Sequence, residues 1–437
     1  MIDTPTKGPT LFESFCAYWL SKALTKMKQG SLQVVYPNGK FLMLGDDAQS
    51  KSGYPVLRIH RPRFFSRCVL YGHIGFSEAY MEGDWDTDDL SGVISWFILN
   101  IDRSTVLEGS GHTSALMNIL GWVNRMIHLV RPNSLATSAK NIQDHYDLSN
   151  DFFKLFLDPT MTYSSARFSS PEFTLEEAQI AKYEALCQKL KICASDYVLE
   201  IGTGWGGFSE YAAKTYGCRI KTITISQAQY DYAVKRIEAA GLSDQVEICL
   251  QDYRLVQGQF DKIVSIEMLE AVGDAYMETY FGQCAKLLKK DGLLGLQVIT
   301  CPDSRYDILR KNVDFIQKHI FPGSLLPSLA RMHKAIARTS DLFLLDLDDM
   351  GNSYAKTLWL WDQAFFNQID AIKSLGFNET FIRKWHYYFM YCHAAFVMRN
   401  ITVVQAVYTR PNNTLLSEAY ADKKGLKTND IDATYSI

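Results

Sequence analysis

Residues 176–300 alternate between two hydrophobic patterns, short apolar runs rich in β-branched residues and longer stretches with apolar residues at helical spacing. The short runs predict strands at 197–201, 220–225, 246–250, 260–266 and 293–300. The longer stretches predict helices at 175–190, 207–215, 227–240 and 276–289. Strand-helix alternation of this kind builds a doubly wound parallel sheet, and its ligand crevice lies at the carboxyl ends of the strands.

The N-terminal part of the chain follows other patterns. Residues 11–29 carry an apolar stripe that ends in lysines, which predicts an amphipathic helix stopped at Gly30. Strand-like runs separated by turn dipeptides follow at 32–36, 41–44 and 56–59. A helical, aromatic pattern covers 94–132, and a linker is expected between 131 and 140. We therefore predict a small α+β domain over residues 1–135.

The C-terminal part returns to helical patterning. Beyond residue 302 the chain is helical and aromatic until a last strand-like run at 402–409. The main α/β domain is therefore predicted to span 136–410, and the polar tail at 411–437 is expected to fray.

Composition narrows the class of protein without naming a partner. The 437 residues are 47% hydrophobic with a formal net charge of -3, which indicates two or three globular domains and disfavours a nucleic-acid binder. Nine cysteines without a C-x-x-C pair predict reduced thiols and no structural metal. Neither a signal peptide nor a run of about 18 apolar residues is present. We therefore expect a soluble, cytoplasmic protein.

A glycine-rich loop follows the strand at 197–201 and opens the next helix. Gly202, Gly204 and Gly207 satisfy G-x-G-x-x-G, with Gly206 as a further glycine, so the backbone can pass close to a ligand. A dinucleotide site would need an acid about 20 residues on, and the next strand ends in hydroxyl residues instead. Glu200, two residues before the first glycine, fits the loop of S-adenosylmethionine methyltransferases. A tight turn without ligand is the alternative.

Polar residues at the ends of the following strands fit an uncharged methionyl-adenosine ligand, which offers no phosphate to hold. These candidate cofactor-binding residues are Thr224, Ser226, Gln229, Asp252, Tyr253 and Arg254.

At this point the chain resembles the cyclopropane fatty acid synthases, a family of methyltransferases that act on unsaturated acyl chains of phospholipids. The motifs that carry the resemblance lie at 143–153, 157–165, 202–207, 251–254 and 315–323, and the likeness runs from about 140 to 410. Residues 75–85 also resemble the smaller N-terminal domain of the longer family members. The resemblance implies a Rossmann-like class I methyltransferase sheet with a helical lipid-binding insertion.

The resemblance also implies roles for individual residues. Tyr163 and Ser164 would bind the methionine end of the cofactor, with Gly202, Gly204 and Gly206 as the loop against it, and Tyr146 is a further cofactor-binding candidate. Thr224 and Gln229 would contact the ribose, and Tyr253 and Arg254 would form the adenine wall. The family's base is thought to be a bound bicarbonate ion. The positions that would hold it are Glu270, Gln297, Tyr354, Ser165 and Cys392.

Two of these five positions depart from the pattern of bacterial relatives, since Ser165 stands where they often have Cys and Gln297 where they have His. Both can still hydrogen-bond an anion. From the residues alone, structural roles are favoured for both: Glu270 as the partner of a helix dipole, and Cys392 as a buried apolar side chain. The departures look like a branch closer to the plant-type enzymes rather than a loss of activity.

The expected reaction is transfer of a methylene group from S-adenosylmethionine to the cis double bond of an unsaturated phospholipid acyl chain. The alternatives are a lipid C-methyltransferase making methyl-branched or exomethylene chains, a small-molecule methyltransferase, and a non-catalytic cofactor- or lipid-binding relative. We expect a peripheral contact with the inner membrane surface and consider a homodimer. The docking element would be the 11–29 helix or the cationic face at 331, 334 and 338, which would otherwise be a solvated surface.

Overall fold

The computed structural model describes residues 8–45, 53–100 and 148–416. These residues form two compact units that interleave along the chain. The helical unit is drawn from Met1–Pro159, Ser304–Leu325 and Gly351–Thr402, and the sheet unit from Thr160–Asp303, Leu326–Met350 and Val403–Ile437. The predicted domain limits at 135 and 410 stay a prediction. The predicted linker at 131–140 and Tyr146 lie outside the described residues, as do residues 101–132 of the predicted helical stretch and the tail from 417.

The helical unit begins with a small α+β arrangement, as predicted. Its elements are α1 (Leu11–Leu24), β1 (Ser31–Val35), β2 (Phe41–Gly45), β3 (Val56–Ile59), α2 (Arg63–Met81), β4 (Trp85–Asp86), α3 (Leu90–Asn100) and α4 (Asn150–Phe153). The sheet order is β2-β1-β3-β4, with β1 antiparallel to β2 and parallel to β3. The three predicted strands are confirmed, whereas α2, which bends at Gly72, was not predicted.

Helix α1 is shorter than predicted. It starts at the N-cap Thr10, whose hydroxyl accepts from the Glu13 backbone N–H, and ends at Leu24 instead of residue 29. Beyond Leu24 the backbone tightens into turns, because the amides of Lys26 and Met27 bond to carbonyls three residues back. Met27 is buried there, so core packing ends the helix before the glycine does.

The sheet unit carries the predicted alternation. Its first elements are α5 (Leu175–Lys189), β5 (Tyr197–Ile201), α6 (Gly207–Tyr216), β6 (Arg219–Thr224), α7 (Gln227–Ala239), β7 (Val246–Leu250), β8 (Phe260–Ile266), α8 (Met277–Leu287) and β9 (Leu288–Thr300). The elements that follow, some of which belong to the helical unit, are α9 (Asp303–Leu309), α10 (Phe315–His319), α11 (Leu329–Thr339), β10 (Phe343–Asp349), α12 (Gly351–Asn367), α13 (Ile369–Ser374), α14 (Glu379–Val397) and β11 (Thr402–Thr409).

The seven strands of the sheet unit have the order β10-β11-β9-β8-β5-β6-β7. Strands β5 to β9 pair in parallel, and β10 and β11 pair with each other antiparallel. This confirms the predicted α/β fold with its Rossmann-like sheet. The prediction of only helices between 302 and 402 was wrong at β10, because its short Phe-Leu-Leu-Asp-Leu run forms a strand only when paired with β11.

Apolar side chains on both faces of the central strands form the core of the sheet unit. Leu199 on β5, Ile263 on β8 and Leu294 on β9 are all fully buried. Aromatic rings dominate the helical unit instead, where Phe152 lies 4.8 Å from Trp385 between ring centroids. None of the helices within the described residues is long and apolar enough to cross a membrane.

Candidate functional site

The glycine loop lies at the carboxyl end of β5, where a doubly wound sheet binds its ligand. Gly202, Gly204 and Gly206 have φ angles of 102°, 52° and 85°, a region that side-chain-bearing residues rarely adopt. The amides of Gly202 and Thr203 both donate to the Ile223 carbonyl at 3.0 Å, which fastens the loop to β6. The loop conformation therefore requires these glycines whether or not a ligand is bound.

Gly207, the last glycine of the motif, is required by packing. A Cβ placed there would lie 2.6 Å from the Tyr183 hydroxyl oxygen and 3.0 Å from the Thr160 carbonyl oxygen. The helix α6 can therefore approach the Thr160 segment closely only with glycine at its first residue. This contact accounts for the literal G-x-G-x-x-G match without a pyrophosphate.

Glu200 is buried beneath the loop and well bonded. Its Oε2 accepts from the Ser209 hydroxyl and, at 2.6 Å, from the Thr222 hydroxyl. Burial raises the pKa of this carboxyl to about 7, against the lowering effect of the two hydroxyls. Glu200 thus joins β5, β6 and α6, and its predicted contact with the cofactor stays a prediction.

The polar residues after β6 are organised around the N-terminus of α7. The Thr224 hydroxyl donates to Gln229 Oε1 at 2.9 Å, and Ser226 caps the helix by accepting from the Gln229 amide. All three side chains are almost fully buried. The side chains predicted for the ribose contact are therefore brought together and held in fixed orientations.

After β7 the predicted adenine wall forms a rigid corner. Arg254 donates from Nε and Nη2 to the two carboxylate oxygens of Asp252 at 2.8 and 2.6 Å. Its guanidinium lies 5.4 Å from the ring centroids of both Tyr253 and Tyr276. Desolvation raises the pKa of Tyr253, so this phenol stays neutral and presents an apolar ring.

The segment predicted to bind the methionine end is anchored from α5. Lys182, which is fully buried, donates from Nζ to the Ser164 hydroxyl oxygen at 2.7 Å. Gln179 donates to the Ser164 carbonyl at 3.0 Å. Tyr163 is half-buried beside them. The sequence analysis missed Lys182, although a lysine on the otherwise apolar face of a helix was a usable signal.

Ser165 and Gln297 meet at a third residue that the sequence analysis also missed. Glu267 Oε1 accepts from the Ser165 amide and from Gln297 Nε2, each at 2.8 Å. Gln297 Nε2 also donates to the Ser165 carbonyl at 3.1 Å, and Gln405 donates to Gln297 Oε1 at 3.2 Å. Both amide hydrogens of Gln297 therefore have protein acceptors.

Glu267 has a left-handed backbone, with φ at 50°. Such a conformation costs free energy in a residue other than glycine and tends to occur at functional sites. The Glu267 amide donates to the Gln297 carbonyl at 2.7 Å, which holds the turn after β8 against β9. Neither the spacing nor the residue type of Glu267 indicates this strain, so only its position before Glu270 hinted at a role.

Glu270 stands out among the described carboxyl groups of the sheet unit. It is 7% exposed, its Oε1 accepts from the Ile299 amide at 2.6 Å, and its Oε2 is buried without a hydrogen-bond partner. Burial, followed by the negative charge of Glu267, raises its pKa to about 8. The raised pKa favours the protonated form of this carboxyl, which can donate to an acceptor.

The turn that holds Glu270 adjoins the glycine loop. The Ser265 hydroxyl donates to the Ile201 carbonyl at 3.1 Å, and Met268 would lie 3.4 Å from a Cβ at Gly202. The ends of β5 and β8 are thus neighbours. The geometry brings a buried proton donor to the crevice where the predicted cofactor loop lies.

Tyr354 and Cys392 belong to the helical unit, on α12 and α14. The Tyr354 ring is nearly buried and lies 4.5 Å from Phe396 between centroids. Desolvation raises the pKa of the Cys392 thiol, so it is a neutral thiol rather than a nucleophilic thiolate. Their predicted roles, and those of Ser165 and Gln297, stay predictions.

Comparison with known proteins adds an independent line of evidence. The family of mycolic acid cyclopropane synthetases matches residues 133–406. The chain is 37% identical to the tuberculostearic acid methyltransferase UfaA1 of Mycobacterium tuberculosis, over 86% of each chain. It is 34% identical to the cyclopropane-fatty-acyl-phospholipid synthase of Escherichia coli K12, over 86% of this chain and 96% of the relative. The solved structure of the mycolic acid cyclopropane synthase CmaA1, complexed with SAH and CTAB, has 29% identity and a TM-score of 0.58, covering 62% of this chain and 98% of CmaA1.

Proposed function

Because this chain belongs to the mycolic acid cyclopropane synthetase family of S-adenosylmethionine-dependent lipid methyltransferases, we propose that it builds a cyclopropane ring on the cis double bond of an unsaturated phospholipid acyl chain. The observation that carries the proposal is Glu270, a buried carboxyl group with a raised pKa and one unpartnered oxygen beside the glycine loop. Such a group fits a reaction that has to direct the loss of a proton.

The cofactor loop and the turn at Glu270 supply what the reaction needs. S-adenosylmethionine supplies an electrophilic methyl group, and the alkene takes it up as the carbon–sulfur bond breaks. The glycine loop and the bonded Thr224 and Gln229 side chains orient the donor. Alignment and exclusion of water then account for most of the acceleration, because the methyl group is already activated.

Ring closure requires the added carbon to lose a proton to a base. Glu270 fits an anionic base as its partner, since a protonated carboxyl donates to an anion through an oxygen that the protein leaves unpaired. Bound bicarbonate would supply that base. Ser165 and Gln297 fit the role less directly, because the Ser165 hydroxyl donates to the Ala166 carbonyl and the Gln297 amide donates to Ser165 and Glu267. These two residues more directly orient Glu267.

A second candidate is a lipid C-methyltransferase, favoured by the 37% identity to a tuberculostearic acid methyltransferase. The two activities share the donor and the first bond formed. They differ in which proton is lost and in whether the product is then reduced, so the product alone separates them.

The test is to incubate the full chain with S-adenosylmethionine and vesicles of a cis-unsaturated phospholipid, and then to analyse the released fatty acids. A cyclopropane product gains one CH2, loses its vinyl protons and shows ring protons far upfield in the proton NMR spectrum. A product that keeps olefinic protons, or one that carries a branched methyl group, would favour the second candidate. Unchanged lipid, despite measurable binding of S-adenosylhomocysteine, would overturn both.

A further inference from the structure

Helix α1 has apolar side chains on two sides. Cys16, Ala23 and Leu24 face the body of the helical unit and are buried. Five larger apolar side chains remain exposed, with exposed fractions of 93% for Leu11, 51% for Phe12, 57% for Phe15, 65% for Tyr18 and 53% for Trp19. Core packing therefore explains the small residues of this helix but leaves its aromatic residues in contact with solvent.

The exposed residues form one continuous face, which we call the α1 aromatic face (Leu11, Phe12, Phe15, Tyr18 and Trp19). At roughly 100° per residue, their positions fall within an arc of about 120°. Isolated exposed apolar residues are common, but a contiguous aromatic patch marks a binding surface. Within the described part of the helical unit, half or more of each of these side chains stays exposed, so we expect another partner to cover them.

Positive charge follows the same face toward the end of the helix. Lys22 falls within the same arc, and Lys26 and Lys28 are exposed just beyond the helix. The only acid of α1, Glu13, is held in its capping box by the amide and hydroxyl of Thr10 at 2.8 and 2.9 Å. The helix dipole explains one lysine at the C-terminus of α1, but it does not explain the two further lysines beyond the helix.

The other element predicted to dock is α11, and two of its three cations form ion pairs within the sheet unit. On α11, Arg331 donates to the Asp274 carboxylate and, at 2.9 Å, to the Asp274 carbonyl. Arg338 donates to Glu278 at 2.8 Å. Within the sheet unit these arginines bind acids at and near α8, and α11 exposes no comparable aromatic face. The cationic stripe on α11 is therefore largely accounted for by structure.

We propose that the α1 aromatic face lies in the plane of an anionic phospholipid surface. Phe12, Phe15 and Trp19 enter the boundary between head groups and acyl chains, and the three lysines contact lipid phosphates. The combination favours lipid over a second protein chain, because protein interfaces are depleted of lysine whereas anionic lipid attracts it. The choice of a phospholipid surface rests on the proposed function, in which the acyl substrate lies in a membrane.

The decisive measurement is co-sedimentation of the full chain with vesicles, either of phosphatidylcholine alone or containing phosphatidylglycerol. The triple variant Phe12→Ser, Phe15→Ser, Trp19→Ser is expected to reduce partition into anionic vesicles at least tenfold. Its rings are exposed, so its melting temperature and its affinity for S-adenosylhomocysteine should match those of the wild type. The matched control is Phe41→Ser, a change at a ring that is 64% exposed on β2.

A charge variant separates the electrostatic part. Lys22→Glu, Lys26→Glu should weaken binding to anionic vesicles by at least about 25-fold, from about fivefold per cation. Its binding to phosphatidylcholine vesicles should change little. The control is Lys214→Glu, Lys235→Glu, which reverses two exposed lysines of the sheet unit. Equal losses in both pairs would mean that net charge alone matters and would overturn the docking face.

Failure of the docking proposal can be told apart from failure of the proposed function. If the triple variant binds vesicles as the wild type does, the docking face is overturned even if lipid is modified. If only the wild type binds and no lipid is modified, docking stands and the proposed function fails. If both hold, the variant should lose turnover on vesicles and keep it on detergent-dispersed lipid. Conversion of a dimer to a monomer by the variant, with vesicle binding unchanged, would assign the face to a second copy.

Discussion

Two buried glutamates of the sheet unit differ in how completely the protein satisfies them. Glu200 Oε2 accepts from two hydroxyl groups, and burial raises its pKa to about 7. Glu270 accepts from the Ile299 amide on one oxygen, its other oxygen has no partner, and burial with the charge of Glu267 raises its pKa to about 8. The two carboxyl groups are similarly buried, but Glu200 Oε2 has two hydrogen-bond donors whereas Glu270 Oε2 has none.

This difference indicates a structural role for Glu200 and a chemical role for Glu270. A buried polar atom without a partner costs free energy, and a fold keeps it only where something else compensates. Glu200 is explained by the bonds it makes between strands and helix. Glu270 is explained best by a bonding partner that arrives with the reaction, which is why the two residues should respond differently to substitution.

The largest effect should come from Glu270→Gln. The amide is nearly isosteric but cannot exchange a proton, so we expect turnover to fall by about 100-fold or more. Affinity for S-adenosylhomocysteine, measured by calorimetry, should be unchanged. Glu278→Gln, at a half-exposed residue of the same unit that pairs with Arg338, is the matched control. Full activity in Glu270→Gln would remove the central residue of the proposed mechanism.

Glu200→Ala should act on stability instead. Removing the carboxylate leaves the Ser209 and Thr222 hydroxyls without this acceptor, so the free energy of unfolding should fall by about 1–3 kcal/mol in denaturant titrations. A direct contact with the cofactor would add a weaker affinity for S-adenosylhomocysteine. Stability equal to the wild type would show that the two carboxylates do not differ in the way described.

Glu267→Gln tests the role of Glu270 through the pH dependence of activity. Glutamine keeps an acceptor oxygen for Ser165 and Gln297 but removes the charge that helps to raise the Glu270 pKa. If protonated Glu270 is the active form, activity falls as pH rises through about 8 in the wild type. In the variant this decline should move to lower pH, because the neighbouring negative charge is gone. An unmoved profile would show that Glu267 does not tune Glu270.

The smallest effect concerns stability between pH 7 and 8. Both carboxyls have a folded-state pKa above the ordinary 4.5, so each contributes stability that is fully present below pH 4.5 and is lost as pH rises through its folded pKa. Glu200→Gln should therefore remove a slope that ends near pH 7, and Glu270→Gln one that extends to about 8. The two variants should differ by at most about 1 kcal/mol over that last unit. Identical pH profiles would contradict the separate values.

Local pattern was enough to predict much of the fold. The strands at β5 to β8 were predicted to within a residue because their apolar runs are short and bounded by turn residues. The glycine loop and the polar groups at Thr224 and Gln229 were also visible, since each depends on the residue type at a strand end. Strand β10 was not predicted, because its seven residues form a strand only by pairing with β11.

The sequence by itself determined the class of fold, the glycine loop and the family, because periodicity, turn residues and motifs are properties of neighbouring positions. Only the tertiary structure decided that Gly207 is needed for packing, that Glu267 joins Ser165 to Gln297, and that one oxygen of Glu270 has no partner. It also decided which apolar residues of α1 face outward. The physical reason is that burial, hydrogen bonding and strain depend on tertiary contacts between segments that are distant in sequence. Local sequence patterns do not specify those contacts.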